Sequence, residues 1–196
     1  MIAMDIDDLE SSELYSEELD IDLSSGDDDA VFEWFLASVL FGGRISEDIA
    51  KRTYRAFERH DLLTPGDIVD AGFDFLVDPV MQEGGYVRYD NQRSEQILRN
   101  CRTLLDEYDG RLNELHEAAE DEDDLEDRLD AFYGVGPVTV NIFLRELRPV
   151  WEKSDPDPLD TIRDAAERHD VDLDRYDRKS ETFARVEAGL VRRRHE

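Results

Sequence analysis

Residues 134–139 read Gly-Val-Gly-Pro-Val-Thr, a spacing that could hold an anion without any charged side chain. Gly134 and Gly136 allow a tight turn and leave the backbone amides bare. Pro137 suits the first position of a helix, where its missing N–H would have no partner in any case. Val140, Phe143, Leu144 and Leu147 then follow at i, i+3, i+4 and i+7, the buried stripe of that helix. A helix start with unpaired amides is a seat for a phosphate. A second group lies upstream, where Gly84-Gly85-Tyr86 is followed by Arg88, Tyr89, Asn91, Gln92 and Arg93. These side chains could line a pocket for an unstacked base, with Tyr86 or Tyr89 stacking on it. The competing arrangement packs Tyr86 in the core and leaves the others as surface.

Other chemistries find no support in the residue spacing. His60, His116, His169 and His195 form no HExxH or paired metal pattern. No GxxxxGK loop, GxGxxG turn or GxSxG elbow occurs. The single cysteine, Cys101, allows neither an intramolecular disulfide nor a four-cysteine iron-sulfur cluster. It falls in register with Ile97, Leu104, Leu105 and Tyr108, which reads as a buried thiol on one helix face.

The elements that must carry these groups are helical, and no strand-like alternation or repeat is present. Residues 31–41 are too apolar for a surface helix and too short for a membrane span, so they predict a central core helix stopped by Gly42-Gly43. Ser46, Glu47 and Asp48 open a second helix to about His60, whose Lys51, Arg52, Arg55 and Arg59 either approach a polyanion or pair with nearby carboxylates. A long helix is expected to end near Asp109, and residues 117–124 read as an exposed linker. Asp157 caps a helix expected to begin at Pro158 and run to about His169. Residues 179–194 predict a last helix with a basic end.

The 196 residues include 51 acidic and 23 basic ones, a formal charge of -28. A nucleic-acid-binding module normally carries a basic face, so this balance argues against such a partner at first sight. The low lysine count, Lys51, Lys153 and Lys179 alone, resembles that of proteins from halophilic archaea. In concentrated salt, counterion release drives little binding, and backbone amides lose less than lysine or arginine pairs. Residues 1–30 hold twelve acidic and no basic residues, which predicts a disordered tail, either solvating or mimicking a polyanion. Neither a long apolar run nor the positive start of a signal peptide is present, so a soluble, cytoplasmic protein without membrane association is expected.

Residues 124–147, a helix, a glycine hairpin and a second helix, resemble the helix-hairpin-helix of the DNA glycosylase superfamily that includes endonuclease III. The likeness extends over residues 31–165, through the helices of 32–60, the Gly84-Gly85-Tyr86 turn and the helix from Arg93. It implies an all-α, two-lobed fold in a helical domain (31–170), preceded by the acidic tail read from composition (1–30) and followed by a helical, basic-ended extension (171–196). It implies a monomer that binds damaged double-stranded DNA through Gly134, Val135, Gly136 and Thr139, and removal of a damaged base as the reaction. The family's essential carboxylate is an Asp at the start of the helix after the hairpin helix, in a Val-Asp-Thr-His-like setting. Asp157, then Asp155, are the candidates that this region offers. The family's lyases use a Lys where Val138 stands, so a Schiff-base step is not expected and a monofunctional, water-using glycosylase remains. The gap-filling Gln of the family is missing from Phe41-Gly42-Gly43-Arg44, where Arg44 could act as a wedge. Hairpin carbonyls could hold a monovalent cation; the family's iron-sulfur cluster is not expected. A non-catalytic relative that binds DNA or a protein partner is the alternative.

Overall fold

Nine of the fourteen residues of one helix are buried, and the fold is assembled around it. In this computed structural model, which describes residues 4–196, the order is α1 (Ile6–Glu10), α2 (Tyr15–Glu18), α3 (Asp28–Phe41) and α4 (Glu47–Arg59). Then come α5 (Pro65–Ala71), α6 (Phe73–Phe75), a wide turn at Leu76–Met81, α7 (Gln82–Gly84) and α8 (Asp90–Tyr108). The chain closes with α9 (Leu112–Ala118), α10 (Glu122–Asp130), α11 (Pro137–Arg145), α12 (Asp160–Arg168) and α13 (Glu181–Arg192). The fold is all-α: no strand forms, and no helix is long and apolar enough to cross a membrane, among the described residues.

The central helix is α3, as its apolar run requires. Val31, Trp34, Phe35, Leu36 and Leu40 are each almost fully buried, and α4, α9 and α11 pack on it. Burial of each such side chain contributes on the order of 1.5–3 kcal/mol. Trp34 donates its indole N–H to the Phe143 carbonyl at 3.1 Å, and Phe35 meets Phe143 and Phe132 edge-on or tilted. Both arms of the glycine hairpin therefore rest on α3. Helix starts follow the sequence: Ser46, Thr64 and Ser180 each accept an N–H from the residue three further on.

The acidic N-terminal segment departs from the expected disorder. Leu9, Leu14, Tyr15, Leu19, Ile21 and Leu23 are buried, and Glu146 accepts the N–H groups of Tyr15 and Ser16 at 3.1 Å each. The carboxylates find cations: Glu18 pairs with Lys51 and Arg192, Asp20 with Arg55, and Glu17 with Arg185. Apolar anchors at irregular spacing thus hold a segment whose composition alone predicts a coil; for residues 1–3 the expectation lies outside the described residues. Leu9 joins Ile162, Ala165, Val186 and Leu190 in a second, smaller core. That core draws on both sides of the boundary expected at residue 170. The linker expected at 117–124 shrinks to residues 119–121, because Ala119 is buried and Asp121 caps α10 by accepting the Asp124 N–H.

Candidate nucleic-acid interface

The hairpin between α10 and α11 stands at the surface, with Gly134 in the left-handed region at φ +69°. A Cβ there would lie 3.0 Å from the Gln96 amide, so glycine is required for both conformation and space. Gly136 is extended, and a side chain on it would enter open space. No side chain caps α11, and no acceptor takes the N–H of Gly134, Gly136 or Val138 among the described residues. Two members of the expected set turn inward instead. Val135 is buried and donates its N–H to the Phe132 carbonyl at 3.1 Å. Thr139 is buried against Gly42, where no side chain larger than hydrogen fits, so its hydroxyl packs the turn and does not face solvent.

Beside the hairpin, Arg44, Tyr89, Arg93, Gln96, Tyr133 and Gly134 line a cleft of about 490 Å³. Tyr89 is half-exposed and left-handed at φ +65°, a conformation costing a residue with a Cβ roughly 1–2 kcal/mol. Tyr86 does not join it: the ring is fully buried, and its hydroxyl accepts from Arg93 Nε at 2.8 Å. Tyr86 therefore positions Arg93 and is not a stacking surface. Arg44, Arg88 and Arg93 form no ion pair among the described residues, and Arg99 has only Glu95 at 3.9 Å. Guanidinium groups cover both exposed tyrosines, Arg99 over Tyr133 at 3.7 Å and Arg88 over Tyr89 at 5.0 Å. Gln96 is absent from the residues that spacing singled out. It is buried, accepts from Arg93, and leaves its Nε2 donor without a partner beneath Gly134. Its place on the inner face of α8 makes it look like a core position in the sequence.

On the other side of the hairpin helix lies a cleft of similar volume, about 530 Å³, lined by Glu122, Glu126, Asp130, Asp155 and Asp157. Burial, then the neighbouring Asp123 and Asp157, pushes the Glu126 carboxyl up. Asp155 accepts from Arg178 Nε at 2.8 Å, and Asp157 from Arg178 Nη1 at 3.0 Å. Asp157 is not a helix cap, since α12 starts at Asp160 with Leu159 before it. The buried pair Arg148–Glu187 fixes this segment, because Arg148 also donates to the Pro156 carbonyl. The carboxylate at the start of the helix after the hairpin helix is accordingly Asp160, in Leu159-Asp160-Thr161. It is exposed, with no ion pair among the described residues, and its neighbours Leu159 and Thr161 line a cleft with Val138. The Asp-Thr dipeptide was the available signal, and Pro158 drew attention from it. No group of three or more metal-ligating side chains forms among the described residues.

The fold is thus an all-helical one built on a helix-hairpin-helix. Over 113 residues the chain is 29% identical to endonuclease III of Haemophilus influenzae, covering 58% of this chain and 46% of that protein. The chain therefore spans about half the length of the curated relative it matches. That partial likeness agrees with a relationship to the helix-hairpin-helix glycosylase superfamily. No family model matches, and no solved structure matches.

Proposed function

We propose that the protein binds damaged duplex DNA, holding one strand against the free amides of the 134–138 turn. The observation that carries this reading is the placement of cations. In a chain of charge -28, Arg44 and Arg93 stand without carboxylate partners in the cleft beside that turn, together with two exposed tyrosines, one of them under Arg88. Amides and guanidinium groups position a phosphate backbone, while tyrosine faces receive unstacked bases. The carbonyls of Gly134 and Val135 accept no hydrogen bond among the described residues, which leaves them free to take part in holding a potassium or sodium ion.

The reaction that goes with this interface is hydrolysis of an N-glycosidic bond in DNA. The carboxylate would stabilise the cationic sugar or activate water, and Asp160 serves better than Asp157 or Asp155, which Arg178 already engages. Val138 at the lyase position leaves no amine to attack the sugar. Duplex with an abasic-site mimic is expected to bind tighter than plain duplex at matched potassium chloride, and Gly136→Arg to abolish that preference without unfolding the chain. Equal binding of both duplexes by the unaltered protein would sink the reading. A non-catalytic DNA-binding relative is the second reading, supported by Val138 and the Arg178 pairs. Release of a base that is lost in Asp160→Asn favours the enzyme; no release from any lesion-bearing oligonucleotide favours the binder.

A further inference from the structure

A third cleft, about 330 Å³, opens between α11, residues 43–47 and the end of α13, with Ile45, Val138, Ile142 and Leu159 as apolar walls. Its volume is at the lower end of the roughly 300–1,000 Å³ of ligand pockets, room for one flat ring system. Arg145 also lines it, only 4% exposed and in no ion pair among the described residues. Its Nε has no partner, and Nη1 makes one long hydrogen bond, 3.4 Å to Asn141 Oδ1. Glu146 offsets the charge from nearby, yet its two oxygens already accept the Tyr15 and Ser16 amides. Arg194, at the same cleft, is paired with Glu47 at 3.2 Å. The Nε donor of Arg145 is therefore unmet beneath the wall of this pocket, and a buried guanidinium left short of acceptors is destabilising.

We propose that this cleft admits an extruded nucleobase whose edge carries keto oxygens, and that Arg145 selects it. The inference rests on the DNA-binding reading above and adds the substrate class to it. A guanidinium only donates, so it rewards an acceptor and opposes an amino group, donor against donor. Deamination exchanges an amino group for a keto oxygen, turning cytosine into uracil and adenine into hypoxanthine. Within each pair that deamination relates, the keto product is therefore favoured over its amino parent, and a cationic alkylated base is repelled.

The test measures binding of the full chain to duplexes carrying uracil, hypoxanthine, cytosine, adenine or 7-methylguanine in equivalent mismatched contexts, with an abasic-site mimic alongside. The unaltered protein is expected to favour uracil and hypoxanthine at least tenfold over their parents. Arg145→Met should erase that preference while abasic binding stays within twofold. Because a buried residue is changed, Ile45→Trp, which fills the cleft from its partly exposed rim, provides an independent variant with the same expected outcome. A preference for 7-methylguanine, or a keto preference surviving in folded Arg145→Met, overturns the inference alone. Loss of any difference between abasic and plain duplex in the unaltered protein removes the underlying reading, and this inference with it.

Discussion

The two clefts flanking the hairpin helix have nearly the same volume, about 490 and 530 Å³, and opposite chemistry. One gathers arginines, tyrosines and an unpartnered amide; the other gathers seven carboxylates and Arg178. Global charge is therefore a poor guide to this molecule, because some cations, among them those of the hairpin cleft, stand unpaired. Most arginines near the N- and C-terminal segments are already engaged by carboxylates, while those beside Gly134 are not. A polyanion senses the local field of a cleft rather than the sum over the chain.

Three measurements would break or sharpen this contrast. The largest effect is expected from Arg93→Ala, which removes a guanidinium that also organises Tyr86 and Gln96. Hydrogen bonds to charged groups are worth about 1.5–3 kcal/mol, so affinity for abasic duplex should fall about 10- to 100-fold. Asp157→Asn, in the acidic cleft, should leave affinity within twofold; equal losses at both sites would erase the distinction. Tyr133→Ala should come next, costing on the order of 1–3 kcal/mol for one stacked base, visible as weaker binding to duplex with an unpaired nucleotide.

The smallest effect concerns the scaffold. His116 stacks on Trp151 at 4.6 Å and accepts the Lys153 N–H, and burial, then Lys153, lowers its pKa below the ordinary 6.5. Below that value the unfolded chain takes up the proton first, so stability should be present at neutral pH and lost as pH falls through the folded-state pKa. Chemical denaturation between pH 5 and 7.5 should reveal the slope, and His116→Phe should flatten it. An unchanged slope in that variant would place the titration elsewhere.

The helices, the central position of α3, the hairpin and the buried Cys101 were legible in the sequence because each rests on local spacing or on glycine and proline chemistry. What was not legible depends on partners far along the chain. The N-terminal segment packs because Tyr15 and Ser16 meet Glu146, more than a hundred residues away, and because its apolar anchors follow neither helical nor strand periodicity. Whether Arg185 and Arg192 were free or paired could not be read without the fold that brings Glu17 and Glu18 to them. Tyr86 and Tyr89 look equivalent three positions apart, yet one is enclosed and the other half-exposed. Asp157 drew attention as a cap because Pro158 follows it, whereas Arg148, reaching from Glu187 to the Pro156 carbonyl, holds this stretch extended until Asp160.

The docking of residues 13–20 onto α4 and α13 has a kinetic corollary. By occupying Lys51, Arg55, Arg185 and Arg192, that strap leaves these four cations little attraction for a nucleic acid strand. Cutting the strap's ion pairs should accordingly multiply unproductive collisions with a nucleic acid strand more than it weakens the final complex.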